Sequence, residues 1–252
     1  TGYSIDNSIR YNSSSGGLVT QVLIFALEEG LITGALVTRM SKSAPLTPEP
    51  FIARSKQEII NAMKSKYCPV PANIMLREII NSKENERFAV VGLPCHIRGI
   101  KMAERINSAL RDKIILHLGL FCHHNANILC TKLFLKKLRI KEGEVSQINY
   151  RGEGWPGTFS IEFKDGTKIS TNYNNFFLYP SIYLFSQNGC FTCSDALCEL
   201  ADISFGDAWL AEQSRDKVGS SIAIARNKYG DEILQKGCRK GRLELHHMNH
   251  EK

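Results

Sequence analysis

The sequence predicts an α/β protein: a mixed, mainly parallel sheet core with helices on both faces, an antiparallel insertion and a cysteine-rich loop. Three observations carry this expectation. Arg87–Leu93 is almost wholly apolar and Lys113–Phe121 reads as a second buried strand, the composition that parallel strands covered on both faces require. Segments with the helical repeat of apolar residues alternate with these strands. Beyond residue 145 the texture changes to alternating strands around Lys164-Asp165-Gly166, a hairpin signal.

Each element follows from local rules. Ser13-Ser14-Ser15-Gly16-Gly17 opens a helix from Leu18 to about Glu29, with apolar residues at Leu18, Val19, Val22, Leu23, Ala26 and Leu27 and Gly30 as its stop. Ile32–Thr38 reads as a strand. Ser55-Lys56-Gln57-Glu58 is a capping box for a helix running towards Lys66. A helix over Asn73–Asn81 precedes the strand that ends in Gly92-Leu93-Pro94. Cys95–Ile106 and Asn125–Leu138 read as helices on either side of the second buried strand. Val145–Tyr150, Thr158–Phe163 and Thr167–Thr171 form the antiparallel insertion. A helix at about Phe176–Phe185, the cysteine loop, strands at Asp202–Phe205 and Ser221–Ala225, a helix from Tyr229 and Leu243–Leu245 complete the chain. Residues 1–144 are the α/β part, and 145–252 hold the insertion, the loop and the return to the core, one compact domain overall.

Composition narrows the function. The chain has 252 residues, 43% of them apolar, and a net charge of +7. No run of eighteen apolar residues spans a membrane. The cations are scattered rather than blocked, so a nucleic-acid partner is not expected, although a basic surface suits phosphate-bearing coenzymes. Thr1–Asp6 carries no signal region and reads as a start in mid-chain, so a longer polypeptide is expected. Without a secretion signal the eight cysteines are read as thiols or ligands in the reducing cytoplasm.

The densest chemistry is Cys190-Phe191-Thr192-Cys193 followed by Cys198, a C-x2-C-x4-C set, with Cys95 after Gly92-Leu93-Pro94. Soft thiolates at four corners suit a cubic iron–sulfur cluster, which makes this an iron–sulfur cluster loop. Cys122, at the end of the second buried strand, is the reserve fourth ligand. A zinc site or unliganded thiols are the alternatives. The turn Ser14, Ser15, Gly16, Gly17, with Thr20 one turn on, offers hydroxyl and amide donors to a phosphate, or is an ordinary cap. Arg98 follows a strand-to-helix turn, where open α/β sheets take ligands. Arg151 and Trp155 stand in a loop with three glycines and a proline that suits a flat anionic ring. Asp202 and Asp207, five apart beside the cysteines, read as acceptors for backbone donors or as positioners of a cofactor.

These motifs, taken in order, resemble the beta subunit family of coenzyme F420-reducing hydrogenase and F420-linked formate dehydrogenase. The carriers are Ser-Ser-Gly-Gly-Leu-Val-Thr (14–20), Ser-Lys-Tyr (65–67), Val-Gly-Leu-Pro-Cys (91–95), Leu-Gly-Leu-Phe-Cys (118–122), the cysteine loop (190–198) and Ala-Asp-Ile-Ser-x-Gly-Asp-Ala-Trp (201–209). The resemblance implies FAD, a 4Fe–4S cluster and hydride exchange with the deazaflavin coenzyme F420 as substrate, so that residues 1–144 become the flavin-binding part. It implies Cys95, Cys190, Cys193 and Cys198 as cluster ligands and Ser14–Gly17 with Thr20 as the FAD phosphate site. Lys66, Tyr67, Gly92, Pro94, Arg98 and Arg151 are implied to line the FAD, and no side chain is needed as a general base. The implied partner is a ferredoxin-like domain or electron-transfer subunit. Cys68-Pro69-Val70 stand where relatives often carry polar residues, which leaves open a reductase that uses ferredoxin and another organic acceptor. A zinc-stapled nucleic-acid-binding module is the reading outside enzymes.

Overall fold

In the computed structural model, residues 1–181, 183–213 and 215–248 are described. The strands are β1 (Gly2–Ser4), β2 (Gly34–Met40), β3 (Pro48–Ala53), β4 (Phe88–Gly92), β5 (Ile114–Leu120), β6 (Val145–Asn149), β7 (Thr158–Phe163), β8 (Lys168–Asn172), β9 (Ile203–Asp207), β10 (Ser221–Ala225) and β11 (Leu243–Leu245). The helices are α1 (Asn7–Asn12), α2 (Leu18–Glu28), α3 (Lys56–Asn61), α4 (Leu76–Ile80), α5 (Pro94–Ile106), α6 (Ser108–Lys113), α7 (Ile128–Lys137), α8 (Tyr173–Ser181) and α9 (Lys228–Arg239).

Eight strands form one sheet in the order β11-β1-β10-β9-β5-β4-β2-β3. Its centre, β2, β4, β5 and β9, is parallel. Both margins are antiparallel: β3 on β2 at one side, and β10, β1 and β11 beyond β9 at the other. The parallel character expected from the sequence therefore belongs to the middle of the sheet. Of the marginal strands, β10 and β11 stand where the sequence put them, and β1 and β3 escaped the reading for local reasons. β3 contains Pro48 and Pro50, which supply no ladder N–H and fit only an edge strand. β1 is three residues long, too short for a period to show.

Helices cover both faces. On one, Leu18, Val22 and Phe25 of α2, Ile59 of α3 and Ile233 of α9 pack with Ala35, Leu116, Leu118 and Phe205. On the other, Ile79 of α4, Ile97 and Ile100 of α5 and Leu110 of α6 pack with Leu36, Phe88 and Val90. Each such buried side chain contributes about 1.5–3 kcal/mol relative to exposure. α2 is buried on nearly all sides because α1, α3 and α9 flank it where it does not rest on the sheet. The insertion is a separate three-stranded sheet, β6-β7-β8, whose apolar face (Ile148, Phe159, Ile161) closes on Phe134 of α7 and Phe176 of α8.

Several boundaries differ from expectation. The helix after Ser55 stops at Asn61, short of Lys66, and Lys64 adopts a left-handed φ of 74°. Its cap forms as expected, with Ser55 Oγ accepting from Glu58 N–H at 3.3 Å. The Asn73–Asn81 segment is one 3-10 turn, Ala72–Met75, followed by α4. α8 starts at Tyr173, three residues earlier than read, and ends at Ser181.

Parallel strands point their carboxyl ends to one edge, so the residues after Gly92, Leu120 and Asp207 emerge side by side. That edge is where open α/β sheets take their ligands.

Candidate functional site: a thiol cavity beside a buried arginine

Three elements bring the thiols together. Pro94 starts α5 directly after β4, and its fixed φ suits the first helical position, which leaves Cys95 exposed on the first turn. Cys122 follows β5 by two residues, and its N–H donates to the Ala196 carbonyl at 2.9 Å, which ties the strand end to the cysteine loop. Cys190 Sγ accepts from Asn125 N–H at 3.4 Å. Cys122, Cys190 and Cys193 line one cavity of about 290 Å³, with His123, Tyr183 and Phe191.

Cys198 lies deeper. It is fully buried, takes a left-handed φ of 55°, and presses on Gly119 of β5, where a methyl group would stand 2.4 Å from its Sγ. Ser204 Oγ donates to the Cys198 carbonyl at 2.8 Å, and Arg226 Nε donates to that hydroxyl at 3.1 Å. Burial pushes the Cys122 thiol up to about 12, with Cys95, Cys190 and Cys193 adding to the rise. Cys198 is pushed up to about 12 by burial, then by Asp195, with a smaller push from Cys95. Cys95 is raised by burial, with Cys193 and Cys190 adding. Cys95 thus lies within electrostatic reach of each of the other four thiols. Thiols that oppose each other's ionisation are deprotonated together only when a cationic centre compensates. The set read from the sequence, Cys95, Cys190, Cys193 and Cys198, is gathered in this region, and the reserve residue Cys122 is the one that shares the cavity with Cys190 and Cys193. Among the described residues no three His, Cys, Asp or Glu side chains converge closely enough to hold one metal ion. A cube of four irons is wider, taking one thiolate at each corner.

One strand over, at the ends of β9 and β10, stands a group of cations and aromatic rings. The Ser13–Gly17 turn packs on β10. Gly17 caps α2 in the left-handed conformation (φ 77°) with no side-chain hydrogen bond, so the first-turn amides of α2 keep their donors. Gly16 is packed where a methyl group would meet the Gly2 carbonyl at 2.4 Å. Its N–H donates to Ser221 Oγ at 2.9 Å, and Ser15 Oγ lies 2.8 Å from the same hydroxyl. Ser14 Oγ accepts from Ser65 N–H at 2.8 Å and from Ser65 Oγ at 2.9 Å, which leaves its own proton to give. Thr20 is buried beneath the turn.

Lys66 donates to the carbonyls of Ala62, Met63 and Lys64, completing the end of α3. Burial, with Lys64 alongside, brings its pKa down to about 7. Tyr67 stacks on Tyr173 with ring centroids 5.9 Å apart. Arg151 is 3% exposed, ion-paired through Nη1 with Asp207, and its guanidinium lies 4.6 Å from the Tyr173 ring centroid. Burial opposes the Arg151 charge, but Tyr67 and Asp207 outweigh it and raise the pKa. Arg151 Nη2 and Trp155 Nε1 are buried donors without a partner among the described residues. The Trp155 loop is fixed by Gly154 N–H to Tyr11 O at 2.9 Å and Trp155 N–H to Lys217 O at 2.8 Å, and Trp155 packs on Trp209.

Of the other residues expected near this group, Gly92 is buried under His96, where a methyl group would stand 2.9 Å from the His96 Cβ, and Pro94 opens α5. Arg98 is exposed one turn further along α5, with no ion pair among the described residues. These three stand with the thiols at the β4 end rather than with Arg151. The two acids have distinct duties: Asp202 accepts from the backbone N–H of His117 at 2.6 Å, and Asp207 holds Arg151. Sequence reasoning missed the His117 network that Asp202 belongs to, and the group in which His124 stacks on Tyr183 at 4.4 Å beside the cavity. A histidine and two acids far apart in sequence give no local signal.

The cationic group and the thiol cavity can be set beside known proteins. The profile for the N-terminal part of the coenzyme F420 hydrogenase/dehydrogenase beta subunit matches residues 1–77, and the profile for its C-terminal part matches residues 85–251. The coenzyme F420 hydrogenase subunit beta of Methanothermobacter thermautotrophicus is 29% identical over 250 residues, covering 96% of this chain and 81% of that protein. The coenzyme F420-dependent sulfite reductase of Methanocaldococcus jannaschii is 26% identical over 232 residues, covering 86% of this chain and 34% of that protein. A chain of the F420-reducing NiFe hydrogenase complex from Methanosarcina barkeri superposes with a TM-score of 0.74 at 26% identity, over 96% of this chain and 79% of that one.

Proposed function

The chain belongs to the coenzyme F420 hydrogenase/dehydrogenase beta subunit family, and from that membership we propose that it is a flavin- and iron–sulfur-dependent oxidoreductase subunit. In this reading it passes electrons between the deazaflavin coenzyme F420 and a 4Fe–4S cluster chain. The observation that carries the proposal is one of place: a cavity lined by Cys122, Cys190 and Cys193 lies at the carboxyl edge of β4, β5 and β9, and at the end of β9 Asp207 holds Arg151, whose buried Nη2 has no partner among the described residues.

The residues fit the groups. Arg151 Nη2 is a buried N–H without an acceptor among the described residues, the first turn of α2 has free amides, and Ser14 keeps a proton to donate. Such donors suit the phosphates and the polar ring edge of FAD. Lys66, Ser15, Gly16, Gly17 and Thr20 complete that wall and Tyr67 supplies a flat face, with Gly92, Pro94 and Arg98 on the side towards the thiols. Cys95, Cys190, Cys193 and Cys198 hold the cluster, with Cys122 lining its cavity. When bound, FAD supplies exchange of a hydride on one side and of single electrons on the other. The chain's own residues bind and orient: Arg151 gives a fixed cation beside the cofactor, and Asp207 keeps the guanidinium in place. An electron-transfer subunit is the partner that such a cluster serves.

Anaerobic purification followed by iron, sulfide and flavin analysis tests the reading. The expected protein is brown, carries iron and FAD, and shows bleaching of its bound flavin on mixing with reduced F420. A colourless protein that takes up neither group on reconstitution would end it. A protein with both groups whose flavin ignores reduced F420 would transfer the reading to another organic acceptor.

A further inference from the structure

His117 is 3% exposed in β5 and makes four short contacts, three of them to carboxylates. Nε2 is 2.6 Å from Glu104 Oε1, Nδ1 is 3.0 Å from Asp202 Oδ2, and its backbone N–H donates to the same Asp202 oxygen at 2.6 Å. The return bond closes the pair, Asp202 N–H donating to the His117 carbonyl at 2.8 Å. Asn227 Nδ2 donates to the other Asp202 oxygen at 2.6 Å. Ionised carboxylates only accept, so bonding to both Glu104 and Asp202 takes a proton on each ring nitrogen, whereas a ring protonated on Nε2 alone would accept at Nδ1 from Lys101 Nζ, 3.1 Å away.

The charged surroundings agree. From α5, Lys101 Nζ is 3.1 Å from Nδ1 and 3.7 Å from Glu104. Asp202 faces the ring from the start of β9, while Tyr229 of α9 and Arg226 after β10 flank Asp202 and the loop before it. Lys101 and an imidazolium balance Glu104 and Asp202, whereas a neutral ring leaves a buried negative charge uncompensated. Burial opposes the His117 charge, yet the bonds to Asp202 and Glu104 prevail and its pKa is raised.

What the ring holds is the cysteine loop. Asp202 ends the segment that begins at Cys198, Ala201 N–H donates to Cys198 O at 3.2 Å, and Cys198 rests on Gly119, two residues from His117 on the same strand face. We infer that His117 is the positioning residue for Cys198: clamped between Glu104 and Asp202, it fastens residues 198–202 to β5 and fixes where that thiol stands. The inference rests on the proposed cluster for the use made of Cys198, but the clamp itself belongs to the chain alone.

The sign of the pH dependence follows. A raised folded pKa makes the clamp fully present below about 6.5, the ordinary value, and lost as pH rises through the folded value. Hydrogen exchange of the 195–204 segment, corrected for its intrinsic pH dependence, reads this in the purified chain. Wild type is expected to lose protection there in a single step on the alkaline side. Glu104→Gln, which keeps the shape and removes one charge, is expected to move that step down by about one to two pH units. Asp202→Asn acts in the same direction, and His117→Gln abolishes the step. Equal loss of protection at every pH in Glu104→Gln, or an unmoved step in both carboxamide variants, would overturn the inference; should His117→Gln fail to fold, those two variants decide. Iron measured on the same preparations separates the two proposals. Protein with the pH-linked step but no capacity for iron supports the clamp and removes the cluster.

Discussion

Arg151 and Asp207 meet across fifty-six residues of sequence as a part-buried ion pair, and the pair uses only part of the guanidinium, since Nη2 has no acceptor among the described residues. A buried donor without a partner costs about 1–3 kcal/mol. A ligand that accepts from Nη2 recovers that cost on binding. Asp207→Asn is therefore expected to lower stability by about 3–5 kcal/mol, because it leaves a cation buried alone. Arg151→Gln is expected to weaken FAD binding at least tenfold, read by flavin fluorescence on titration. Unchanged flavin affinity in Arg151→Gln would remove this residue from the proposed site.

Serine substitution separates the five thiols. Cys95, Cys190, Cys193 and Cys198 are each expected to lose most of the bound iron when changed to Ser, since a hydroxyl is a poor soft ligand. Cys122→Ser is expected to keep it. Iron lost from Cys122→Ser and retained by Cys198→Ser would exchange the two residues in the ligand set.

Gly119 has no room for a side chain. Its added methyl would stand 2.4 Å from Cys198 Sγ and 2.9 Å from the Ala201 Cβ. Gly119→Ala is expected to cost about 1–3 kcal/mol by overpacking and to lower iron content by displacing Cys198. Urea denaturation and metal analysis of one preparation check both.

Lys66 gives the cationic group a pH signature. Its folded pKa of about 7 lies below the ordinary 10.5, so the unfolded chain binds more protons between the two values. Its contribution to stability is accordingly least favourable below pH 7 and improves as pH rises towards 10.5. Lys66→Met is expected to remove that rise from denaturation midpoints measured across the window. A slope identical to wild type would show that the ammonium is solvated.

Much of this was legible in the chain. Val90 and Leu118 lie in runs whose composition marks strands buried on both faces, and the Ser55 cap and the Lys164-Asp165-Gly166 hairpin formed where local rules put them. The C-x2-C-x4-C spacing drew attention to Cys190 and Cys193, which line the cavity, and the Gly-Leu-Pro-Cys turn to Cys95 at the end of β4. Illegible were β1 and β3, one too short and the other broken by prolines. So were the pairings of Arg151 with Asp207 and of His117 with Glu104 and Asp202, whose partners no period or spacing connects.

From the order of its residues alone this chain specifies helices, buried strands, turns and cysteine spacing, all of which arise from interactions over a few positions. Tertiary structure decided what those interactions cannot reach. It placed Cys122 in the cavity and Cys198 against Gly119, assigned each acid its cation, and left one guanidinium nitrogen without an acceptor among the described residues. These outcomes depend on which strand ends emerge together at the sheet edge, and strand order is set by burial of both helix layers against the whole sheet.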